Sequence, residues 1–323
     1  MTLKDYIRRQ REHGLWSVEV LTLLYMLFTT VLIAIHWKGL TDPVGMINTR
    51  VTMLAVMAIA YITYSLYPCR ALRILRFLPP LLGLISWYPE TYDFCSQFPY
   101  LDHIFASLDH SLFGCQPALV FNTLMPSTFW SEAFNLGYYA YYYMMMATIL
   151  FYLLCRYNSA DRAGFIFLAS FFLYYIIYEF LPVAGPQYYF MAVSTEVADT
   201  GDFPAVGYYF QTHTDMLTPE IKGVFSQLVQ GAQDVGERPT AAFPSSHVGM
   251  STVTMMLAWQ TRNRWLFWLM MPLYLLLCCA TVYIQAHYLI DSICGFVSAI
   301  LFFIITNRLY DSYISLPHIR PRA

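Results

Sequence analysis

Phe77-Leu78-Pro79-Pro80-Leu81-Leu82-Gly83-Leu84-Ile85 decides the fold, because whether it crosses a membrane sets the side of every later segment. It is apolar but short, and its two prolines predict an early break in the helical ladder. A hydrocarbon layer of ~30 Å needs roughly 20 apolar residues at ~1.5 Å rise. Eight segments qualify or come close: 17–36, 51–67, 75–89, 130–154, 163–182, 245–261, 264–284 and 287–307. Lys and Arg collect on the cytoplasmic side of spans, which tests the choice. With eight spans and a cytoplasmic N-terminus, 14 of the 18 cations fall inside, and only Lys38, Arg50, Lys222 and Arg238 fall outside. Without the 75–89 span, Arg156, Arg162, Arg262 and Arg264 would all move outside. Eight spans is therefore the expected number.

Composition agrees, since 58% hydrophobic against 12% charged residues is outside the range of soluble chains. A formal charge of −2 leaves no basic face for a nucleic-acid backbone, and the apolar excess excludes disorder. The chain reads as an all-α integral membrane protein with both termini cytoplasmic. Residues 1–14 are expected to stay attached as a short cytoplasmic helix, with the first span acting as a signal-anchor. No N-x-S/T acceptor occurs in the outer loops, which is compatible with a bacterial inner membrane. Two outer segments are long, 90–129 and 183–244. The first holds Cys95 and Cys115, which face an oxidising compartment and are candidates for a disulfide, the alternative being two buried thiols.

Two histidines stand apart from the rest. His247 lies in Ala242-Phe243-Pro244-Ser245-Ser246-His247, and His287 in Gln285-Ala286-His287-Tyr288-Leu289-Ile290-Asp291, both at outer ends of spans. On a helix, His287 and Asp291 would share a face, so the carboxylate could fix the imidazole tautomer and leave a basic nitrogen free. A structural His–Asp contact explains that spacing equally well. Pro244 suits a first helical turn, whose unpaired N–H groups at Ser245, Ser246 and His247 make a phosphate-friendly site. Phe180-Leu181-Pro182-Val183-Ala184-Gly185-Pro186-Gln187 ends the fifth span on the same side. Together the three segments point to phosphoryl transfer through a histidine, without metal or cofactor.

At these residues the chain resembles the type-2 phosphatidic acid phosphatase superfamily, whose motifs run K-x6-R-P, P-S-x-H and S-R-x5-H-x3-D. Pro244-Ser245-Ser246-His247 matches the second, and His287-x3-Asp291 the catalytic half of the third. The resemblance covers roughly residues 130–307 and implies a six-helix core. It makes His287 the nucleophile, Asp291 its orienting partner and His247 the general acid. The cations depart from the pattern: Tyr178 and Gly185 stand in the first motif, and Ala280-Thr281 in the third. That loss, with His287-Tyr288-Leu289-Ile290-Asp291, resembles the inositol phosphorylceramide synthase branch, and more distantly sphingomyelin synthases. The implied partners are a phospholipid or other lipid phosphate, an inositol- or ceramide-type acceptor and the bilayer.

The resemblance divides the chain into a cytoplasmic segment 1–16, N-terminal spans and outer loop 17–129, a catalytic membrane domain 130–310 and a cytoplasmic tail 311–323. Arg238, nine residues before His247, is the candidate for replacing the lost cations, and Gln187, beside Pro186, a candidate neutral donor. Simple hydrolysis of a lipid phosphate is the competing reaction, and a non-catalytic lipid carrier the competing class. The repeat Leu101-Asp102-His103 and Leu108-Asp109-His110 reads as an interfacial amphipathic helix rather than a metal site. The tyrosines and methionines of 138–146 read as packing and an acyl-chain groove. Glu132 and Glu179 either bind a hydroxylated acceptor or face the headgroups.

Overall fold

The computed structural model describes residues 14–218 and 223–314; the helix expected at 1–14 lies outside them but for Gly14, as do Lys222 and most of the tail. The described residues form helices and no strand. In chain order the helices are α1 (Ser17–His36), α2 (Pro43–Leu66), α3 (Arg70–Cys95), α4 (Asp102–Phe113), α5 (Pro117–Leu124) and α6 (Thr128–Cys155). They continue with α7 (Ala160–Phe180), α8 (Pro186–Val193), α9 (Val224–Gly236), α10 (Ser246–Gln260), α11 (Arg264–Tyr283) and α12 (Leu289–Ile314). Short polar side chains set several starts. Asp42 accepts from the Gly45 N–H at 2.8 Å ahead of α2, and Asn263 from Trp265 and Leu266 ahead of α11.

Each of the eight expected segments coincides with a long helix, but the helices divide by length and polarity. Six are long and apolar enough to cross a membrane. The other two are α3 and α10. α10 has 15 residues, about 22 Å of rise, which is short of the hydrocarbon thickness. α3 carries charges at both ends yet differs from expectation in continuity, running through Pro79, Pro80 and Pro89 without a break. A proline removes one ladder donor but keeps a helical φ, and the buried rings of Phe77 and Trp87 anchor the helix on either side of the first two.

The residues fall into two compact units. Of the described residues, the first gathers 14–90, 151–172 and 303–314. Two of its buried arginines are paired with buried acids. Arg50 grips Glu90 through two bonds of 2.7 and 2.9 Å and also donates to Thr29, all out of water. Arg76 holds Glu19, which in turn accepts from the Trp16 N–H at the start of α1. The second unit comprises Thr91–Leu150 and Leu173–Phe302 and contains both candidate histidines.

The Cys95–Cys115 disulfide is not formed, and both are free thiols. Cys95 is fully buried and its S–H donates to Thr240 Oγ1 at 3.2 Å, while Cys115 lines an apolar cavity.

A buried ion pair stabilises little when intact but is costly to halve. Arg50→Met is expected to lower unfolding stability by about 3–5 kcal/mol, because Glu90 loses its partner away from water. Adding Glu90→Leu should restore most of that loss, which paired thermal melts in detergent would measure.

Candidate functional site

Three loops of the second unit meet around His287. The first, Pro182–Gly185, leads into α8; the second, Thr240–Ser245, into α10; the third, Ile284–Tyr288, into α12. Backbone bonds tie them in series. The Ala242 N–H donates to Val183 O at 3.1 Å, the Gln187 N–H to Gln285 O at 3.0 Å, and the Ser245 N–H to Asp291 O at 3.0 Å. Gly185 has φ +100°, and a Cβ there would lie 2.7 Å from Ala286 O, so the first and third loops touch only because this residue is glycine.

His287 precedes α12 rather than lying on it, so the shared helical face expected for His287 and Asp291 is replaced by a different geometry. His287 Nδ1–H donates to Ala242 O at 2.8 Å, and Asp291 Oδ2 stands 3.8 Å from Nδ1, too far for a hydrogen bond. The carboxylate instead reaches back from the first turn of α12 to accept the Tyr288 N–H at 2.9 Å. That is half of a capping box. The other oxygen, Oδ1, is buried without a partner. A backbone carbonyl therefore sets the tautomer, leaving the lone pair on Nε2.

Nε2 faces His247 Nδ1 at 3.4 Å. His247 is itself held between two rings of α6, Tyr138 at 4.6 Å and Tyr141 at 4.7 Å between centroids. The helix start beneath it is more occupied than its sequence suggested, and begins after Pro244 rather than at it. Ser245 is the N-cap and accepts from the Val248 N–H, and Ser246 hydrogen-bonds the Tyr178 hydroxyl. Among the described residues none accepts from the His247 N–H, which is left to the site.

The places of the missing cations are closed. Tyr178 donates to Pro244 O at 2.7 Å. Thr281 is fully buried, its hydroxyl shared with Ser292 and its carbonyl accepting from the His287 N–H. Arg238 does not join the histidines: it is exposed and donates to Glu237 O beside it. Gln187 is buried, its Oε1 touching Gln233 at 3.5 Å and its Nε2 without a partner. Glu132 caps α9 by accepting from Phe225 and Ser226, which corrects its reading as an acceptor ligand or headgroup contact.

The residues that sequence reasoning passed over are Asp102 and Asp109. α4 is amphipathic as expected, but its acids rather than its histidines face inward. Asp102 accepts from Ala184 N–H at 2.9 Å, Gly185 N–H at 2.8 Å and the Tyr288 hydroxyl at 3.2 Å. Asp109, two turns on, accepts from Leu289 and Ile290 N–H at 2.8 and 3.0 Å, capping α12. One helix thus braces the loops on both sides of His287. The seven-residue spacing was visible, but nothing local told which member of each Asp-His pair turned inward.

The same unit holds an apolar cavity of about 570 Å³, lined by Phe121 and Leu124 of α5, Val248 of α10, Val282 of α11 and Leu289 and Phe296 of α12. Val248 follows His247 in the chain, but neither histidine lines the cavity.

The family model described as the PAP2 superfamily matches residues 103–305, more than half of the chain. No curated protein and no solved structure matches it.

Two outcomes follow from the acids of α4. Asp109→Ala leaves two N–H groups at the start of α12 unpaired, at a cost of about 1–3 kcal/mol. Melting point and turnover should fall together, and Asp109→Asn, which keeps one acceptor, should recover part of both. For Asp102, burial pushes the carboxyl from 3.8 up to about 7 against the pull of its hydrogen bonds. The folded chain then holds a proton that the unfolded chain releases, so this stabilisation is complete below pH 3.8 and lost as pH rises through about 7. Asp102→Asn should reduce the fall in melting temperature over that window, leaving the shares of other acids that burial raises, among them Asp109 and Glu237, the latter pushed up to about 7.

Proposed function

Because the chain belongs to the PAP2 superfamily, we propose that this multi-pass membrane protein is a lipid phosphate phosphotransferase or phosphatase working through a phosphohistidine on His287. The observation that carries the reading is the imidazole pair: His287 Nε2 stripped of its proton by the Ala242 contact and facing His247 Nδ1 at 3.4 Å. A phosphoryl group entering between the rings replaces that contact. Nε2 then attacks phosphorus, the bond from phosphorus to the departing alkoxide oxygen breaks, and His247 delivers a proton to that oxygen. In the second half, water or an alcohol attacks phosphorus, His247 takes its proton, and the phosphorus–nitrogen bond breaks to restore His287. Asp291 acts through the third loop, holding the Tyr288 N–H and lending its charge to the imidazolium side.

Charge on the phosphoryl oxygens is met by N–H donors, with the His247 N–H at the start of α10 placed for one of them. The cavity that Val248 helps to line supports a substrate with a hydrocarbon chain, since its walls offer almost no polar atom. We further propose eight spans, adding α3 and α10 to the six, with the site at the extracytoplasmic face of a bacterial inner membrane and catalysis within residues 130–310. The cation distribution supports that orientation. Closed cation positions favour transfer to an alcohol, phosphoinositol being one group so moved, over simple hydrolysis.

Purified protein in vesicles, given radiolabelled phosphatidic acid, tests this reading. His287→Ala should reduce turnover by about three orders of magnitude or more with the melting point preserved. His247→Ala should trap label on the protein as an acid-labile phosphohistidine. Turnover by His287→Ala at the wild-type rate would overturn His287 as the nucleophile, and no turnover by the wild-type chain would leave the carrier class standing.

A further inference from the structure

A general acid has to hold its proton until the leaving oxygen needs it, so the surroundings of His247 decide how well it can serve. A nearby carboxylate would favour the imidazolium, and His247 has none. Among the described residues the one group acting on it electrostatically is His287, which opposes a second positive charge. The neighbouring acids are turned elsewhere. Asp291 accepts from the Tyr288 N–H, and Glu237 acts on Tyr138 rather than on His247. From α7, Tyr178 donates to Pro244 O and Tyr174 to Gly295 O; from α11, Tyr274 shares a hydrogen bond with Thr252. None of these phenols bonds the imidazole.

What meets the imidazole instead is π density. Tyr138 and Tyr141, three residues apart on one side of α6, are both buried. The Tyr138 ring stacks on His247 at 4.6 Å between centroids and 27° between planes, and the Tyr141 ring lies at 4.7 Å and 48°. The Tyr138 hydroxyl takes no part, being buried with no hydrogen bond. The contact is made by the ring faces. An aromatic face is the negative side of the ring, and a cation within about 6 Å of the centroid is attracted to it, more strongly away from water. A neutral imidazole gains little of that attraction, so the two rings favour the protonated form over the neutral one.

We propose that Tyr138 and Tyr141 are positioning residues that fix the plane of the His247 ring and stabilise its imidazolium form, in the place of a carboxylate partner. This deepens the phosphohistidine reading and rests on it for its catalytic consequence. The imidazolium gives its proton to the oxygen that departs with the electrons of the broken phosphorus–oxygen bond. When water or an alcohol then attacks, His247 takes a proton back and returns to the charged form between the same rings.

The full-length protein in detergent micelles, labelled with carbon-13 at histidine Cε1, yields the pH midpoint of His247 by NMR, with His247→Gln assigning the signal. Tyr138→Leu keeps an apolar contact and removes the ring face, and should lower that midpoint by about one pH unit, the tenfold loss expected of one desolvated cation–π contact. Tyr141→Leu should lower it in the same direction. Tyr138→Phe and Tyr141→Phe keep the faces and should leave it in place, as should Tyr143→Leu, an exposed position on α6 bonded to Tyr139. Phenylalanines of increasing ring fluorination at position 138 drain the face while keeping its shape, so they should lower the midpoint stepwise even where leucine disturbs the fold. In vesicles with radiolabelled phosphatidic acid, the alkaline fall in turnover should move to lower pH in Tyr138→Leu and not in Tyr138→Phe. A midpoint indifferent to Tyr138→Leu and to ring fluorination, or lowered as far by Tyr138→Phe as by Tyr138→Leu, would overturn the aromatic clamp. The midpoint is read without turnover, whereas the phosphohistidine stands or falls with His287→Ala, so the two proposals fail separately.

Discussion

Backbone donors inside an apolar protein must find acceptors, and around His287 that requirement is met by two carboxylates on one short helix. The loop ahead of α8 and the start of α12 expose four N–H groups to an interior with little water. Asp102 takes two of them and the Tyr288 hydroxyl, and Asp109 takes the other two. Each acid is ionisable and buried, a placement that is expensive unless several donors share the charge. Because both sit on α4, the two loops cannot move apart without stripping one acid of its partners. The geometry of the imidazole pair inherits its rigidity from that brace.

The third loop adds a further consequence. With His287 outside the helix, its tautomer is set by a carbonyl of the second loop, so the two histidines, the proposed nucleophile and general acid, are aligned through the same strip of backbone, Ala242 to His247. A carboxylate bond to Nδ1 would have placed a charge there permanently. The carbonyl supplies direction, and Asp291 at 3.8 Å is near enough to favour the imidazolium that the proposed bond from Nε2 to phosphorus would create. Orientation and charge stabilisation are thereby divided between two groups.

Much of this was legible from the sequence where the signal is local. Apolar runs placed eight helices to within eight residues of their ends, and Pro244-Ser245-Ser246-His247 marked a helix start, although it begins after the proline. α3 was underestimated because prolines were weighed by their lost donors, and their compatibility with helical φ was not. His287 was assigned to a helix because a four-residue spacing fits a helical face and a capping reach alike; only the position of the helix start distinguishes them. Asp102 and Asp109 remained hidden because their partners lie some 80 and 180 residues away in the chain. Long-range pairing of that kind leaves no periodic trace.

The closed cation positions bear on what such a site discriminates. An arginine fork binds phosphoryl oxygens strongly whatever alcohol is attached, so binding energy is spent on the part common to all substrates. Here Gly185 is forced small by the Ala286 carbonyl, and Thr281 is committed to Ser292 and His287, so neither position can regain a cation without opening the loops. Charge at phosphorus is left to N–H dipoles, which are weaker and directional. A site that gains less from the phosphoryl group depends more on its surroundings, the apolar cavity that Val248 helps to line among them. Buried donors left empty penalise a ligand that cannot fill them more than an apolar wall penalises a shorter chain. On the proposed chemistry, selectivity would therefore shift from the phosphate to the alcohol.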